Sequence, residues 1–395
     1  MIEIKKNIYW VGIKDWELRK FHGDEFTTEL GSTYNSYLIK DQKTVLVDTA
    51  WDPFKEEYVA HLEKTVGLQN IDYIVINHSE VDHSGSLPLL MSKIPATTPI
   101  YCTQNGAKML KKHYHQDWNF QVVKTGDTLA TGEYELLFIE APMLHWPDSM
   151  FTYVKGAATL LSNDGFGQHY ATSAMFNDEV EPCELYEQAL IYYANILTPF
   201  SRMARQKIDQ FRSLNLPLEM IAPSHGVIWR ENPLQIVDKY YEWADDYQED
   251  FVAIVYDTMW KGTKKMADAI ASGLRKQGTD YKLLNSAKTD HTLIMAEIFK
   301  AKALLLGSPT VNNGILASVA AAMDRVKGLK FKNKTGAAFG TYGWSGESVK
   351  ILTRLLEEAG IQVVHEGLRF QYNPTEEELR QCREFGETFA QKIGK

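Results

Sequence analysis

Residues Val75 to Gly85 read VINHSEVDHSG and place His78, Glu80, Asp82 and His83 within six positions, directly after an apolar run. Imidazoles and carboxylates in such density are transition-metal ligands, and the end of a strand is where a rigid sheet can hold them in fixed geometry. The same grammar recurs along the first half of the chain. DYIVIN delivers His78, LLFIEAPML delivers His145, ATLLSN delivers Asp164 and LEMIAPS delivers His225. The resulting set is His78, Glu80, Asp82, His83, His145, Asp164 and His225, four imidazoles and three carboxylates. That is too many donors for one metal and suits two metals sharing a carboxylate. Asp164 is the expected bridge, because it comes from a loop of its own between the other ligand-bearing segments. The HYH at His113 to His115 has the same residue types without the context. It lies in a polar helical stretch, AKMLKKHYHQDW, and is expected at the surface.

Composition narrows the possibilities further. The chain has 395 residues, 44% hydrophobic and 24% charged, with a formal net charge of -9. This suits a globular protein of two or more domains. An acidic balance with no basic stretch argues against general nucleic-acid binding. No apolar run reaches the ~18 residues of a membrane span, and MIEIKKNIYWVG reads as a first strand, not as a signal peptide. The three cysteines, Cys102, Cys183 and Cys382, form no CxxC pair, so no iron–sulfur, rubredoxin-type or zinc-ribbon site is expected. A reducing, cytoplasmic location fits this usage.

The chain changes character near residue 250, and domains of 1–249 and 250–395 are expected. Short apolar runs separated by turns give way to strands alternating with long helical patterns, the mark of a doubly wound parallel sheet. The second half opens with FVAIVYDTMWKGTKKMADAI. A strand over Phe251 to Tyr256 enters a loop carrying Thr258, Met259, Trp260, Gly262 and Thr263. A helix follows, with Met266, Ile270 and Leu274 on one face. Hydroxyls and amides at a helix N-terminus make an anion site. The next strand, ALLLG, ends in Ser308, Pro309, Thr310, Asn312, Asn313 and Gly314. TGAAFG then ends in Gly340, Tyr342, Gly343, Trp344, Ser345 and Gly346. Ligands of open α/β sheets bind outside such strand ends, and aromatic side chains there can cover a flat ring. This half looks like a flavodoxin domain holding FMN. Trp260 departs from the usual flavodoxin phosphate loop, where a small hydroxyl residue is common. No GxGxxG follows a strand, so no nicotinamide-binding fold is encoded.

The first half resembles the metallo-β-lactamase fold, whose zinc members carry His-x-His-x-Asp-His. Here the pattern is His-x-Glu-x-Asp-His. A hard carboxylate in place of an imidazole favours iron over zinc and points to redox chemistry. The whole chain is therefore expected to be α/β, a metallo-β-lactamase-like αββα sandwich followed by a flavodoxin-like sheet. It resembles the flavodiiron proteins on the segments GSTYNSYLI, NHSEVDHSG, APMLHWPDSM, SNDGFGQH, YYANILTPFS, PSHGVIWR, YDTMW, GSPTVNNGIL and FGTYGWSGES.

The resemblance implies that His78, Glu80, His145 and Asp164 hold one iron, and that Asp82, His83, Asp164 and His225 hold the other. It implies a cytoplasmic oxidoreductase that reduces dioxygen to water, nitric oxide to nitrous oxide, or both. Electrons would pass through FMN from an external donor, rubredoxin or reduced deazaflavin. It also implies a head-to-tail homodimer or dimer of dimers, which brings the FMN of one subunit to the iron pair of the other. The last residues, ETFAQKIGK, carry no paired cysteines, so the donor is expected to be a separate protein or small molecule. Glu80, Asp164 and Tyr192 are the catalytic candidates. Tyr192 or Tyr193, with His22, could line the site or serve only packing. Two competing readings are a zinc hydrolase with an accessory flavodoxin-like domain and a flavin electron carrier with a vestigial metal domain. Metal analysis and an optical spectrum separate them.

Overall fold

The computed structural model describes residues 1–394. It forms two compact units. The first comprises Met1–Phe21, Thr28–Tyr192 and Phe200–Tyr241; the second comprises His22–Thr27, Tyr193–Pro199 and Glu242–Lys395. The chain therefore does not divide at one position, since two short segments from its first half group with the second unit.

The first unit is a sandwich of two sheets. One has seven strands in the order Ile2–Lys5, Ile8–Trp10, Tyr37–Lys40, Thr44–Val47, Tyr73–Val75, Ile100–Cys102 and Phe120–Val122. The other has five, in the order Thr128–Ala130, Glu135–Glu140, Met150–Lys155, Thr159–Asn163 and Met220–Pro223. Their inner faces supply one core, in which Tyr37, Ile39, Val45 and Val75 of the first sheet meet Leu136, Phe138, Val154 and Leu161 of the second. Alternation along Glu135–Glu140 puts Leu136 and Phe138 inward, as period-two patterning requires.

The N-terminal segment corrects the single strand expected there. It is a hairpin, with Ile2 paired to Trp10 and Glu3 to Tyr9, antiparallel. Asn7 makes the turn at φ 58°, a conformation that Asn tolerates better than most side chains.

Two registers position the ligand-bearing loops. Thr159–Asn163 runs parallel to Met220–Pro223, with Asn163 opposite Pro223, so the residues that follow, Asp164 and His225, emerge at the same end. Tyr73–Val75 runs parallel to Thr44–Val47, with Val75 opposite Val47, so Asp48 and the run from Ile76 to His78 also leave together.

In the second unit the main strand order is Asp280–Asn285, Glu249–Tyr256, Ala301–Gly307, Thr335–Tyr342, with Gln362–Val363 and Leu368–Gln371 both beside the last. Every one of these pairings is parallel, and the order is the flavodoxin-like 2-1-3-4-5. Phe251 to Tyr256 is buried at each residue, as expected of a central strand covered on both faces. Val252, Ile254 and Tyr256 face Met266, Ile270 and Leu274 of the helix Gly262–Lys276, joined by Phe385 and Phe389 of Glu376–Ile393. These two helices touch through Gly273 and Gly386, where a Cβ would strike the backbone of Arg383 and of Ile270.

Candidate metal centre and ring-binding cleft

Each ligand-bearing loop is shaped locally before it is shaped by any ligand. After Tyr73–Val75 the chain runs through His78 and Glu80 into a short helix, Val81–Ser84, which carries Asp82 and His83. His145 follows Glu135–Glu140 by five residues, and Asp164 directly follows Thr159–Asn163. Asp48 and Asn163 leave their strands at φ 55° and 50°, turns that their short polar side chains permit. Gly226 sits at φ 78°, where any Cβ would collide with Gln168. Gln168 Oε1 accepts the Val227 N–H at 2.7 Å and so braces the turn behind His225.

All seven predicted ligands converge. Nε2 of His78 lies 3.2 Å from Glu80 Oε2, and Nε2 of His145 lies 3.3 Å from the same oxygen. Nε2 of His83 and of His225 each lie 3.1 Å from Asp82 Oδ2. Asp164 stands between the two triads. Its Oδ2 is 3.6 Å from His78 and 3.5 Å from His145, and its Oδ1 is 3.1 Å from His83 and 3.5 Å from His225.

These separations decide what the cluster is. Two donors of one metal, at bonds of ~2.1 Å, stand ~3.0–3.4 Å apart in octahedral or tetrahedral geometry. Close as they are to imidazole nitrogens, neither Asp164 oxygen makes a hydrogen bond among the described residues, and Asp82 Oδ1 makes none either. A buried carboxylate left this way costs several kcal/mol, so lone pairs directed at common points fit two cations and do not fit an ion-pair network. Burial opposes the charged forms on both sides. The Asp82 and Asp164 carboxylates nevertheless raise the His83 pKa to about 9, and His83, His78 and His145 hold Asp164 far below the usual carboxylate range.

The triads differ in exposure. Asp82, His83, Asp164 and His225 are at most 2% exposed, whereas the Glu80 and His145 side chains are 13% and 11% exposed. The way in therefore lies on the Glu80 and His145 side, beside Trp146, whose ring is 5.1 Å from that of His78.

Several contributors had escaped the sequence reading. Asp148 accepts His78 Nδ1–H at 3.1 and 3.2 Å, and the Thr33 carbonyl accepts His225 Nδ1–H at 2.6 Å. Such partners fix the tautomer and aim Nε2 at a metal. Asp48 accepts the Asn77 N–H at 2.7 Å, and burial raises its pKa to about 6. His169 is hydrogen-bonded through Nδ1 to Ser32 Oγ at 2.7 Å, and its ring lies 4.9 Å from that of His225. Asp148 and His169 lie three and five residues past His145 and Asp164 in sequence, and that proximity was the only signal; their burial and contacts show in the folded chain alone.

The two candidate tyrosines part company. Tyr192 packs in the first unit, 5.0 Å from His169 and 6.1 Å from His225 between ring centroids. Burial, then the Asp164 charge, lifts its phenol pKa well above the ordinary value, so it keeps its proton. Tyr193 belongs to the second unit, 5.5 Å from Trp243 and 5.8 Å from Phe299. His22 also groups with the second unit. His113 and His115 are exposed, as expected. Cys102, Cys183 and Cys382 are free thiols.

The second unit holds a cleft of about 630 Å³ at its strand ends, within the range of small-molecule sites. Of the residues predicted there, Met259, Trp260, Gly262, Pro309, Thr310, Asn312, Asn313, Tyr342, Gly343, Trp344 and Ser345 line it, joined by Val311, Thr341, Tyr372 and Asn373. Thr258, Thr263, Ser308, Gly314, Gly340 and Gly346 are not among the lining residues. Thr263 was expected in the loop but lies in the first turn of Gly262–Lys276, fully buried, with its hydroxyl 3.0 Å from that of Thr341. Ser308 is turned inward, its Oγ accepting the Leu316 N–H at 3.0 Å. Gly340 allows close packing, since a Cβ there would strike the Ser308 carbonyl.

Two features fit a flavin phosphate and ring. Thr258 Oγ1 is buried and has no hydrogen-bond partner among the described residues, just before the N-terminus of a 15-residue helix. Trp260 and Trp344 are 88% and 87% exposed, unusual for tryptophan and apt for covering a flat ring.

Comparison with known proteins agrees with both halves. Residues 33–226 match the family described as ODP family beta lactamase, and residues 254–386 match flavodoxin. The chain is 50% identical to an anaerobic nitric oxide reductase flavorubredoxin of Escherichia coli, over 99% of this chain and 82% of that protein. Among solved structures it is similar to the rubredoxin oxygen:oxidoreductase of Desulfovibrio gigas, with a TM-score of 0.96 and 38% identity over 99% and 98% of the two chains. It is likewise similar to the flavodiiron protein of Giardia intestinalis, with a TM-score of 0.93 and 35% identity over 99% and 96%.

Proposed function

The chain belongs to the flavodiiron proteins, and from that premise we propose that it reduces nitric oxide to nitrous oxide and dioxygen to water, with electrons reaching an iron pair through FMN. One observation carries the reading: Asp164 turns a separate oxygen toward each of two ligand triads. His78, Glu80 and His145 would hold one iron; Asp82, His83 and His225 would hold the other; Asp164 would join them. The zinc-hydrolase alternative is set aside, since the relatives matched over nearly the whole chain are named as reductases or as a flavodiiron protein.

When bound, the iron pair and FMN supply the electrons, two per pair of nitric oxide molecules or four per dioxygen. The chain's own groups do the rest. Asp164 fixes the spacing of the two positions, and Glu80 and Asp82 add the negative charge that favours the oxidised metal. The slight opening beside Glu80 and His145 admits a diatomic molecule, while the buried triad behind it excludes bulk water. Tyr192, whose ring lies 6.1 Å from that of His225, keeps its phenol proton, so it would be a hydrogen-bond donor on that side and would not compete as a ligand. Trp260 and Trp344 would cover the flavin ring, and the Gly262–Lys276 N-terminus with Thr258 would receive its phosphate. A rubredoxin-type protein would be the donor, and a head-to-tail homodimer the working assembly. Among the described residues, no helix is long and apolar enough to cross a membrane.

Two tests follow. The protein expressed in iron-replete cells should be yellow and carry two irons and one FMN per chain. Two zinc ions and no iron would end the redox reading. Trp344→Ala should weaken FMN binding about tenfold, from loss of an aromatic contact of ~0.5–1.5 kcal/mol beyond the area it covers. A Trp260→Ala/Trp344→Ala double variant should lose donor-driven turnover with both irons in place, because the metal ligands lie in the other unit. Full donor-driven activity in flavin-free protein would contradict the order of electron flow.

A further inference from the structure

The two metal positions are built alike in their ligands and differently behind them. Resting on the diiron reading, we infer that Asp148 is a positioning residue that clasps the His78–Glu80–His145 position alone and makes it the more electron-rich of the two.

The geometry is specific. The Asp148 carboxylate is fully buried and accepts two N–H groups from one loop: His78 Nδ1 at 3.1 and 3.2 Å, and the Ser79 backbone at 2.7 Å. A carboxylate can only accept here, so Nδ1 carries the hydrogen and Nε2 presents its lone pair to the metal. Asp148 itself lies three residues beyond His145. Its carbonyl accepts the Thr103 hydroxyl at 3.0 Å, which seats the loop against a third segment. The one carboxylate thus ties together all three ligands of this position. It holds His78 directly, Glu80 through the adjoining Ser79 backbone, and His145 through its own loop.

The other position has no such clasp. His225 Nδ1 donates to a neutral carbonyl, that of Thr33. His83 Nδ1 is buried with no hydrogen-bond partner among the described residues. A full negative charge behind one imidazole raises its donor strength and favours a more highly charged metal; a carbonyl does this less. Position by position, the Glu80 side has one anionic ligand, a share of Asp164 and the charge of Asp148 behind His78. The Asp82 side has one anionic ligand, a share of Asp164 and the buried Asp48 carboxylate in the neighbourhood of His83, but Asp48 is hydrogen-bonded to Asn77 and not to a ligand. The carboxylate hydrogen-bonded directly to a ligand imidazole thus stands behind the Glu80 side alone, and that is also the side that is slightly open.

Asp148→Asn tests this sharply. Ser79 N–H and His78 Nδ1–H both reach Oδ2, and His78 also reaches Oδ1. An amide oxygen at the Oδ2 place turns its NH2 toward His78 Nδ1–H, and one at the Oδ1 place turns it toward Ser79 N–H, so the charge is lost and a donor is left facing a donor either way. The full-length chain is stripped with a chelator and reloaded anaerobically with ferrous iron. In Asp148→Asn, affinity at one of the two positions should fall roughly 10–100-fold while the other is unchanged. The potential of the first oxidation step should rise, since a charge that stabilised the oxidised metal is gone. Asp148→Glu, which keeps the charge, should return that potential toward the wild-type value. A purely structural role would lower metal content without moving the potential of the chains that retain both irons.

Equal weakening of both positions, or an unchanged potential in Asp148→Asn, would overturn the inference. Far-UV circular dichroism and FMN content report folding, and if Asp148→Asn is lost to misfolding, Asp148→Ser is read by the same two outcomes. A wild-type chain that takes up fewer than two irons would instead defeat the diiron reading itself, a different result from either.

Discussion

Asp164→Ala should empty both metal positions at once. Each of its oxygens stands 3.1–3.6 Å from two imidazole nitrogens of one triad, so it is the one residue whose loss removes a ligand from both sides. What remains is two sets of two imidazoles and one carboxylate with no shared anchor. A supporting partner alone is worth about 10–100-fold in metal affinity, so loss of a direct bridging ligand should cost at least about 100-fold at each position. Asp164→Asn keeps the shape but turns one acceptor into a donor, and should spare one position more than the other. The measurement is iron per chain together with nitric oxide and dioxygen consumption, with FMN content as the control. FMN should stay near one per chain, because its cleft is in the second unit. Two irons retained in Asp164→Ala would show that the carboxylate merely fills space between independent sites.

What the sequence disclosed and what it hid have physical reasons. The seven candidate ligands were legible because His78, His145, Asp164 and His225 each follow a short apolar run and Glu80, Asp82 and His83 crowd in directly behind His78; the alternation that marks a strand also marks its end. The flavodoxin-like half was legible for the same reason, since buried parallel strands read as continuous apolar runs. Hydrogen-bond partners leave no such mark. Asp148 lies in HWPDSM three residues past a ligand, but an aspartate beside a proline is equally an ordinary turn residue. Only the folded chain shows its carboxylate against His78. Thr263 was misplaced because whether a hydroxyl faces a ligand or a neighbouring Thr341 depends on tertiary packing at the first helical turn. The N-terminal hairpin was read as one strand because Lys6 and Asn7 lack the Gly that usually announces a tight turn. Adjacent tyrosines 192 and 193 go to different compact units, a distinction that no local pattern could carry.

Glu80→His should change which metal the protein prefers, not merely how much it holds. Glu80 Oε2 stands 3.2 and 3.3 Å from the His78 and His145 nitrogens, the third corner of its triad. Its side chain is 13% exposed, so an imidazole can be seated there without forcing the core. The substitution replaces a hard anionic oxygen by a neutral nitrogen and leaves the position with three imidazoles and a share of Asp164. Three imidazoles are a set that zinc accepts readily, and zinc has no redox chemistry to offer; carboxylate-rich sites suit harder, higher-valent ions. The variant grown with both metals available should therefore keep about the same total metal per chain while zinc rises at the expense of iron. Turnover of either diatomic should fall with the fraction of chains carrying zinc, and FMN should remain bound and reducible. Glu80→Ala separates selection from binding, since it should lose metal outright and gain no zinc. Unchanged iron content and unchanged turnover in Glu80→His would show that the choice of metal is made elsewhere in the cluster. Asp82, the other unshared carboxylate, would then be the next residue to change. The Asp148 carboxylate behind His78 works in the same direction as Glu80, adding negative charge to one position. A Glu80→His/Asp148→Asn double variant should therefore shift further toward zinc than either single change.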